Sequence, residues 1–514
     1  MTEKIGAALC GMIVVFLCGC SSNSGPLPAV SSSSRVAVTN NPQVALYTVS
    51  PSKDASVHVE FGTDTSYGRS TSSQPAPMGG GTVNILVAGM RAFTTYHMRA
   101  VVDFTDGTQF LDSDQVFTTG GFPANALPAF TVTTPSGLTP QPGIELLDLV
   151  GSQQSVLAVD LQGNVIWSYS FPDGTAADIV HPVKPIPNGH FLVQISPTSS
   201  FPVNNNAPPG TLYTAREVDL AGNTVREITL DSLNSRLSQA GINLTLQDIH
   251  HDILLLPNGH WIMLAETLKQ IPPLGSVLGD VLIDLDPNMV PVWSWSTFDH
   301  LDVNRHPMGL PDWTHSNALL YSPDDGNLIL SMRHQHWVIK IDYNNGLGAG
   351  DIIWRLGEGG DFTLSGGTDP DDWFYAQHGP FFVSPNTAGQ FSMILFDNGN
   401  NRIYPPADPC TTSPTPACNF STVPMFQIDE NAHTASITFH DTLPVFSFFG
   451  GNAQTLANGD IEFDECAIST SSLAANVLEV TNEAGPRTVW QLQIGGAYAY
   501  RAFRLPSLYP GVQW

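Results

Sequence analysis

Three histidines recur at matched places in a repeating strand pattern. The peptides are Asp248-Ile249-His250-His251-Asp252, Asp312-Trp313-Thr314-His315-Ser316-Asn317 and Tyr375-Ala376-Gln377-His378-Gly379-Pro380, each leading into a strand that ends at a turn proline: Pro257, Pro323 or Pro385. His250 and His378 lie the same distance before their prolines, and His315 lies one residue further because its turn is longer. A neutral imidazole is a nucleophile at neutral pH and also a general acid or base. His315 and Asn317 are two apart, so a regular strand would carry them on one face. Arg333, in Ser331-Met332-Arg333, closes the same hairpin and is expected on the strand beside His315. Its guanidinium would supply a cation for a tetrahedral anion. The candidate site is therefore His250, His251, His315, Asn317, Arg333 and His378, because convergent polar groups mark sites. His181, His190, His260, His334 and His336 are expected to be structural. Clustered histidines are also metal ligands. No His-Glu-x-x-His or Cys-x-x-Cys accompanies them, and an arginine beside the cluster would repel a dication.

The elements that must position these groups repeat along the chain. An apolar strand, an aspartate, a turn and often a tryptophan recur at Asp160…Trp167, Asp219, Asp284…Trp293, Asp342…Trp354, Asp429 and, in degenerate form, Thr481…Trp490. Between them lie hairpins with turns such as Pro187-Asn188-Gly189, Pro257-Asn258-Gly259 and Asn458-Gly459, whose glycines allow the positive φ of a tight turn. Six copies of short, turn-punctuated strands predict a six-bladed β-propeller over 125–514, with equivalent positions converging on its axis. Residues 36–122 show short alternating runs, which predict a small β-sandwich. The stretch Leu86–Arg99, around Tyr96, resembles the fibronectin type III signature. The predicted class is thus all-β.

Lys4 and the apolar run Ile5–Leu17 read as a signal peptide, too short to span a membrane confidently. The segment Leu17-Cys18-Gly19-Cys20 resembles a bacterial lipobox, with Cys20 the lipidated residue, and residues 21–35 read as a Ser/Pro-rich tether. The expectation is an exported bacterial lipoprotein, anchored to the membrane through lipid alone and facing the periplasm or the cell surface. Export permits a disulfide, but sequence does not choose among Cys410, Cys418 and Cys466. The formal charge of −27, with only 19 basic residues, excludes a nucleic-acid partner. It also means that an anionic substrate needs local donors.

The peptides Asp248–Ile253, Thr314–Leu319, Ser331–Arg333, Gln377–Gly379 and Asp397–Arg402, in this order, resemble the bacterial arylsulfate sulfotransferases. That resemblance implies a propeller enzyme that takes a phenolic sulfate ester directly, hands the sulfuryl group to a phenolic acceptor, and uses neither nucleotide donor nor cofactor. It implies His378 as the nucleophile that is transiently sulfated. His315, Asn317 and Arg333 would hold the sulfuryl oxygens, and one of His250 and His251 would act as acid/base, with register favouring His250. Ping-pong kinetics follow from such an intermediate. A non-catalytic, surface-anchored propeller that binds a ligand or partner, and a metal-dependent hydrolase, remain the alternatives. A homodimer is compatible with all three.

Overall fold

The computed structural model describes residues 29–122, 126–152, 155–169, 171, 178–197, 213–400, 402, 419–468 and 471–514. The signal peptide, most of the tether, Cys10, Cys18, Cys20, Cys410, Cys418 and the His181 side chain lie outside the described residues. Among the described residues no helix is long and apolar enough to cross a membrane.

The described chain is all-β, in sheets that are antiparallel apart from the parallel pairing of Thr363–Ser365 with Thr434–Thr442. Near the N-terminus a three-stranded sheet (Arg35–Val38, Ala45–Val49, Val83–Val87) packs on a second sheet built around Ala55–Gly62 and Thr95–Phe104. Alternate residues of these strands, Val57, Val59 and Phe61 among them, are fully buried, as a period of two requires. Tyr96 is buried too, and its hydroxyl accepts the Arg91 amide at 3.0 Å. Arg91 in turn pairs with Asp160 at 2.7 Å, tying this pair of sheets to the next.

Beyond residue 128 come six sheets of four or five strands. In each, the edge strand that meets the neighbouring sheets, called its inner strand below, is β1 (Asp178–Pro185), β2 (Leu246–Leu255), β3 (Ser316–Ser322), β4 (His378–Thr387), β5 (Ala453–Thr455) or β6 (Tyr498–Leu505). β1 packs on β2, β2 on β3, β3 on β4 and β4 on β5. The last strand, β6, pairs with Ile144–Val150 and so completes the first sheet, while it also packs on β1 and on the sixth sheet. The C-terminal strand thus joins the end of the series to its beginning. Arg504 of β6 binds Glu145 of the first sheet and Glu462 and Glu479 of the sixth.

The repeated aspartate and tryptophan have a shared structural purpose. Asp160 Oδ1 accepts the amides of Gln162 and Asn164, and Asp219 Oδ1 those of Ala221 and Asn223, so each carboxylate closes its own turn. Indole N–H groups then reach the turn of the following sheet: Trp167 to Leu220 O, Trp295 to Gly350 O, and Trp490 of the sixth sheet to Leu161 O of the first, at 2.8–3.0 Å. In the third copy the turn residue is Asp286, two places after Asp284, and the donating indole is Trp295 rather than Trp293. The expected turns form, with Gly189, Gly259 and Gly459 at φ 83°, 86° and 92°.

Candidate active site

The residues that begin the inner strands are not regular strand. The ladder of β2 breaks between Ile249 and Ile253, that of β3 between Ser316 and Ala318, and that of β4 between His378 and Phe381. His251 and His315 adopt φ of 56° and 44°, and Ala376 and Gly379 flank His378 at 54° and 52°. Bulges re-aim side chains and bend strands, and non-glycine residues at positive φ cost about 1 kcal/mol or more. Three sheets carry this distortion at the same place, and the histidines lie in it.

The bulges decide which groups meet. His251 packs edge-on against His315 with ring centroids 4.6 Å apart, and lies 5.8 Å from Tyr500 of β6. The His378 ring lies 6.0 Å from the same Tyr500, nearly perpendicular to it. His315 stacks on His334 at 4.6 Å, and His334 Nε2 accepts Arg333 Nη1 at 2.9 Å. His250, His251, His315, His334 and Arg333 therefore form a chain of contacts, and the Tyr500 ring packs on both His251 and His378.

Several expectations are corrected by this geometry. His250 is not the member of the pair that faces His315. The left-handed turn at His251 swings His251 there and leaves His250 behind it, toward Asp248, Glu266 and Asp280. Arg333 is not on the strand but opens the short 3₁₀ turn Arg333–Gln335, with its amide on His315 O at 3.2 Å. His315 and Asn317 do not share a strand face, because His315 precedes β3 and Asn317 falls in its bulge. The Asn317 amide nitrogen donates to Gln377 O at 2.7 Å, next to His378. His334, expected to be structural, belongs to the cluster, since strand parity does not apply in a 3₁₀ turn. His336 is structural as expected, its Nδ1 accepting the Ala376 amide at 2.9 Å. His190 and His260 likewise serve structure, on Glu217 at 2.7 Å and Asp284 at 2.8 Å. Cys466 is buried and has no cysteine partner among the described residues.

Hydrogen bonding fixes the His378 tautomer. Asn398 Nδ2 donates to two carbonyls, Ser447 O at 2.8 Å and Gly450 O at 3.0 Å, so its Oδ1 must face His378. His378 Nδ1 lies 2.6 Å from that oxygen and so carries the proton. The lone pair is then on Nε2, which accepts the Gly450 amide at a long 3.4 Å. Burial and then the Arg333 charge hold the His378 pKa well below the ordinary 6.5, so the ring is neutral. Asn398 lies in the Asp397–Arg402 peptide, and nothing in its spacing marks it as the partner of His378. Tyr500 gave no signal at all, because its strand enters the first sheet from the far end of the chain.

On the other side, Asp312 Oδ2 lies 2.5 Å from His315 Nδ1 and orients that ring. Burial would raise the Asp312 carboxyl, but His315, His334 and His250 together hold it below the usual carboxylate range. Burial, with the neighbouring His315, pushes His334 down to about 3. Arg333 is pressed below its ordinary value by burial, although an arginine remains charged at neutral pH. Its Nε meets no hydrogen-bond partner, and Nη2 makes only a 3.4 Å bond to Phe448 O. A guanidinium with uncommitted donors beside a neutral imidazole suits an incoming anion. Next to it, Phe448, Phe449 and Tyr498 pack on one another at 5.2–6.1 Å.

Donor atoms of Asp312, His315 and His334 lie close enough to hold a metal ion. Both His334 nitrogens are already engaged, however: Nδ1 donates to Asp312 O at 2.8 Å and Nε2 accepts from Arg333. A ligand set needs those lone pairs.

The model of the family described as Arylsulfotransferase (ASST) matches residues 141–501. The chain belongs to the arylsulfotransferase family. The match spans every inner strand from β1 to β5 and runs into β6, so the site lies within it. Phenolic substrates and sulfuryl transfer are the general activity of an arylsulfotransferase. Among curated proteins none is significantly similar to the chain. Solved structures resemble it only distantly. A lignostilbene dioxygenase from Pseudomonas brassicacearum has 10% identity and a TM-score of 0.33, with 74% of this chain and 96% of that one covered. An apocarotenoid oxygenase from Synechocystis has 9% identity and a TM-score of 0.34, covering 92% and 94%. An α-L-arabinofuranosidase from Fusarium graminearum has 9% identity and a TM-score of 0.30, covering 66% and 91%. At such values no function passes from them to this arylsulfotransferase.

The depressed His378 pKa has a kinetic consequence. Protonation removes the lone pair, and the depressed value moves that loss to lower pH. A rate that depends on the His378 lone pair should therefore stay flat as pH falls through 6.5. Product chromatography from about pH 8 to about pH 5 checks it, and a half-loss near the free-imidazole value would contradict the assignment.

Proposed function

We propose that this arylsulfotransferase moves a sulfuryl group from a phenolic sulfate ester to a phenol by a ping-pong route through a sulfo-histidine at His378 Nε2. The reading rests on one observation above the others: Asn398 fixes the proton of a neutral His378 on Nδ1, leaving the lone pair on Nε2, where only the long Gly450 bond meets it, within the field of the Arg333 charge. In the first half-reaction Nε2 attacks sulfur, the N–S bond forms and the S–O bond to the aryl group breaks. The leaving phenolate takes a proton from His251. In the second, an acceptor phenol gives its proton back, its oxygen attacks sulfur, and the N–S bond breaks. Charge spreads over the peripheral oxygens during in-line transfer, by analogy with phosphoryl transfer. Arg333, His315 and the second Nδ2–H of Asn317 are the donors we assign to those oxygens. Phe448, Phe449 and Tyr498 offer a wall for the aryl ring.

We read the six sheets as the blades of a propeller spanning 125–514, closed by β6, with the site at its hub, and 36–122 as an accessory sandwich. The cyclic order of inner-strand contacts and the Trp490–Leu161 bond support that reading. Residues 1–20 are proposed as a lipoprotein signal with Cys20 the anchored residue, which places the enzyme outside the inner membrane.

Mass spectrometry of the protein after exposure to 4-nitrophenyl sulfate, without acceptor, tests the route. The expected result is one sulfuryl adduct, localised by fragmentation to His378. Transfer to phenol with no adduct, or with an adduct elsewhere, would overturn it.

A further inference from the structure

His250 stands behind the reacting groups, yet its surroundings are unusual. Its Nδ1 lies 2.7 Å from His251 Nδ1. Two nitrogens at that distance share one proton, so one donates and the other accepts. The opposite nitrogen, His250 Nε2, lies 3.3 Å from Asp280 Oδ1 and 3.8 Å from Glu266 Oε1. Asp280 is anchored by its other oxygen, which accepts both the amide and the hydroxyl of Ser316. Asp248 completes the surroundings from β2 itself, and one of its oxygens is buried without a hydrogen bond.

We propose that His250 is a positioning residue that stores the proton exchanged between the two half-reactions and sets the tautomer of His251. This inference rests on the sulfuryl-transfer reading and extends it. With His250 as imidazolium, Nε2–H faces Asp280 and Nδ1–H is donated to His251. His251 then carries its own proton on Nε2 and is an acid. When the aryl S–O bond breaks, Nε2 of His251 protonates the departing phenolate oxygen. The proton on His250 Nδ1 crosses to His251 Nδ1 in the same event. His250 is left neutral, still protonated on Nε2 toward Asp280, and His251 Nε2 now bears a lone pair. That lone pair takes the proton of the acceptor phenol in the second half-reaction, and the proton on Nδ1 returns to His250. One proton leaves and one returns, so the cycle closes without solvent.

The charged groups around His250 fit a cation there. Burial disfavours the imidazolium, but Asp280, Asp248 and the more distant Asp312 outweigh it and raise the His250 pKa. Burial pushes Asp248 up to about 6 and Glu266 well above the ordinary carboxylate value, whereas Asp280 is held below it by His250 and Ser316 despite its burial. Among the described residues, His251 and, through it, His315 are the further imidazoles beside it. Asp280 and Asp248, the carboxylates nearest to it, therefore favour the protonated form of His250.

The test compares phenyl sulfate with 4-nitrophenyl sulfate in single-turnover phenol release by the full chain. The nitrophenolate is stable without a proton, whereas phenolate, with a conjugate acid near pKa ~10, needs one. His250→Asn is expected to slow phenyl sulfate by roughly 10²-fold and 4-nitrophenyl sulfate by less than about 10-fold. Equal losses on both donors would overturn the relay, since a merely structural role lowers both alike. Should His250→Asn fail to fold, Asp248→Asn decides. Removing that charge lowers the His250 pKa, so the alkaline limb for phenyl sulfate should move to lower pH. An unmoved limb would overturn the proposal. If the wild-type chain releases neither phenol, the sulfuryl-transfer reading itself has failed, which is a different outcome from transfer that is indifferent to His250.

Discussion

The His378→Ala variant is expected to lose at least about 10⁴-fold in sulfuryl transfer, with 4-nitrophenyl sulfate as donor and phenol as acceptor. A covalent route has no substitute for its nucleophile. The neighbouring imidazoles are poorly placed to replace it. His334 has both nitrogens engaged, and His315 is turned by Asp312. The variant should remain folded, because His378 contributes one hydrogen bond to Asn398, and its loss costs about 1–3 kcal/mol. Thermal melting alongside the kinetics separates the two effects. A folded variant with more than about a tenth of wild-type rate would eliminate His378 as nucleophile.

Arg333→Met is expected to lower kcat by about 10²–10³-fold, the usual consequence of removing one donor from a developing oxyanion. The physical reason is the unusual state of this arginine. It is a buried cation whose Nε lacks a partner and whose Nη2 makes one long bond. In a protein of net charge −27 it supplies local attraction for an anion that the overall field repels. Methionine keeps much of the apolar stem, so the melting temperature should change little. Arg333→Lys should recover only part of the loss, because a point charge does not reproduce a planar fork. A loss confined to KM would assign Arg333 to ground-state binding alone.

The two effects trace to residues that differ in how visible they were. His378 was found because its blade-like repeat placed it at the same distance from a turn proline as His250. Arg333 was found because it follows the hairpin of His315. Neither required knowing the bulges. The choice between His250 and His251 does require them, since equal spacing before the turn prolines favours His250, whereas the φ of 56° at His251 puts that ring against His315. His334 was set aside by strand alternation, which has no meaning in a 3₁₀ turn.

By itself the sequence determined an all-β chain, because its short strands, Asn-Gly turns and Asp/Trp repeats are local patterns with local physical causes. It also determined which residue types could handle an anion, because imidazole and guanidinium chemistry belongs to the side chain. Only the tertiary structure decided how they meet. Tyr500 reaches the site through a strand that crosses from the chain's end into its first sheet, a pairing that spans more than three hundred residues and leaves no periodic trace. Asn398, Asp312 and the buried acids set protonation through distances of a few ångströms. Such distances follow from where bulged backbones come to rest against one another, which no spacing along the chain encodes.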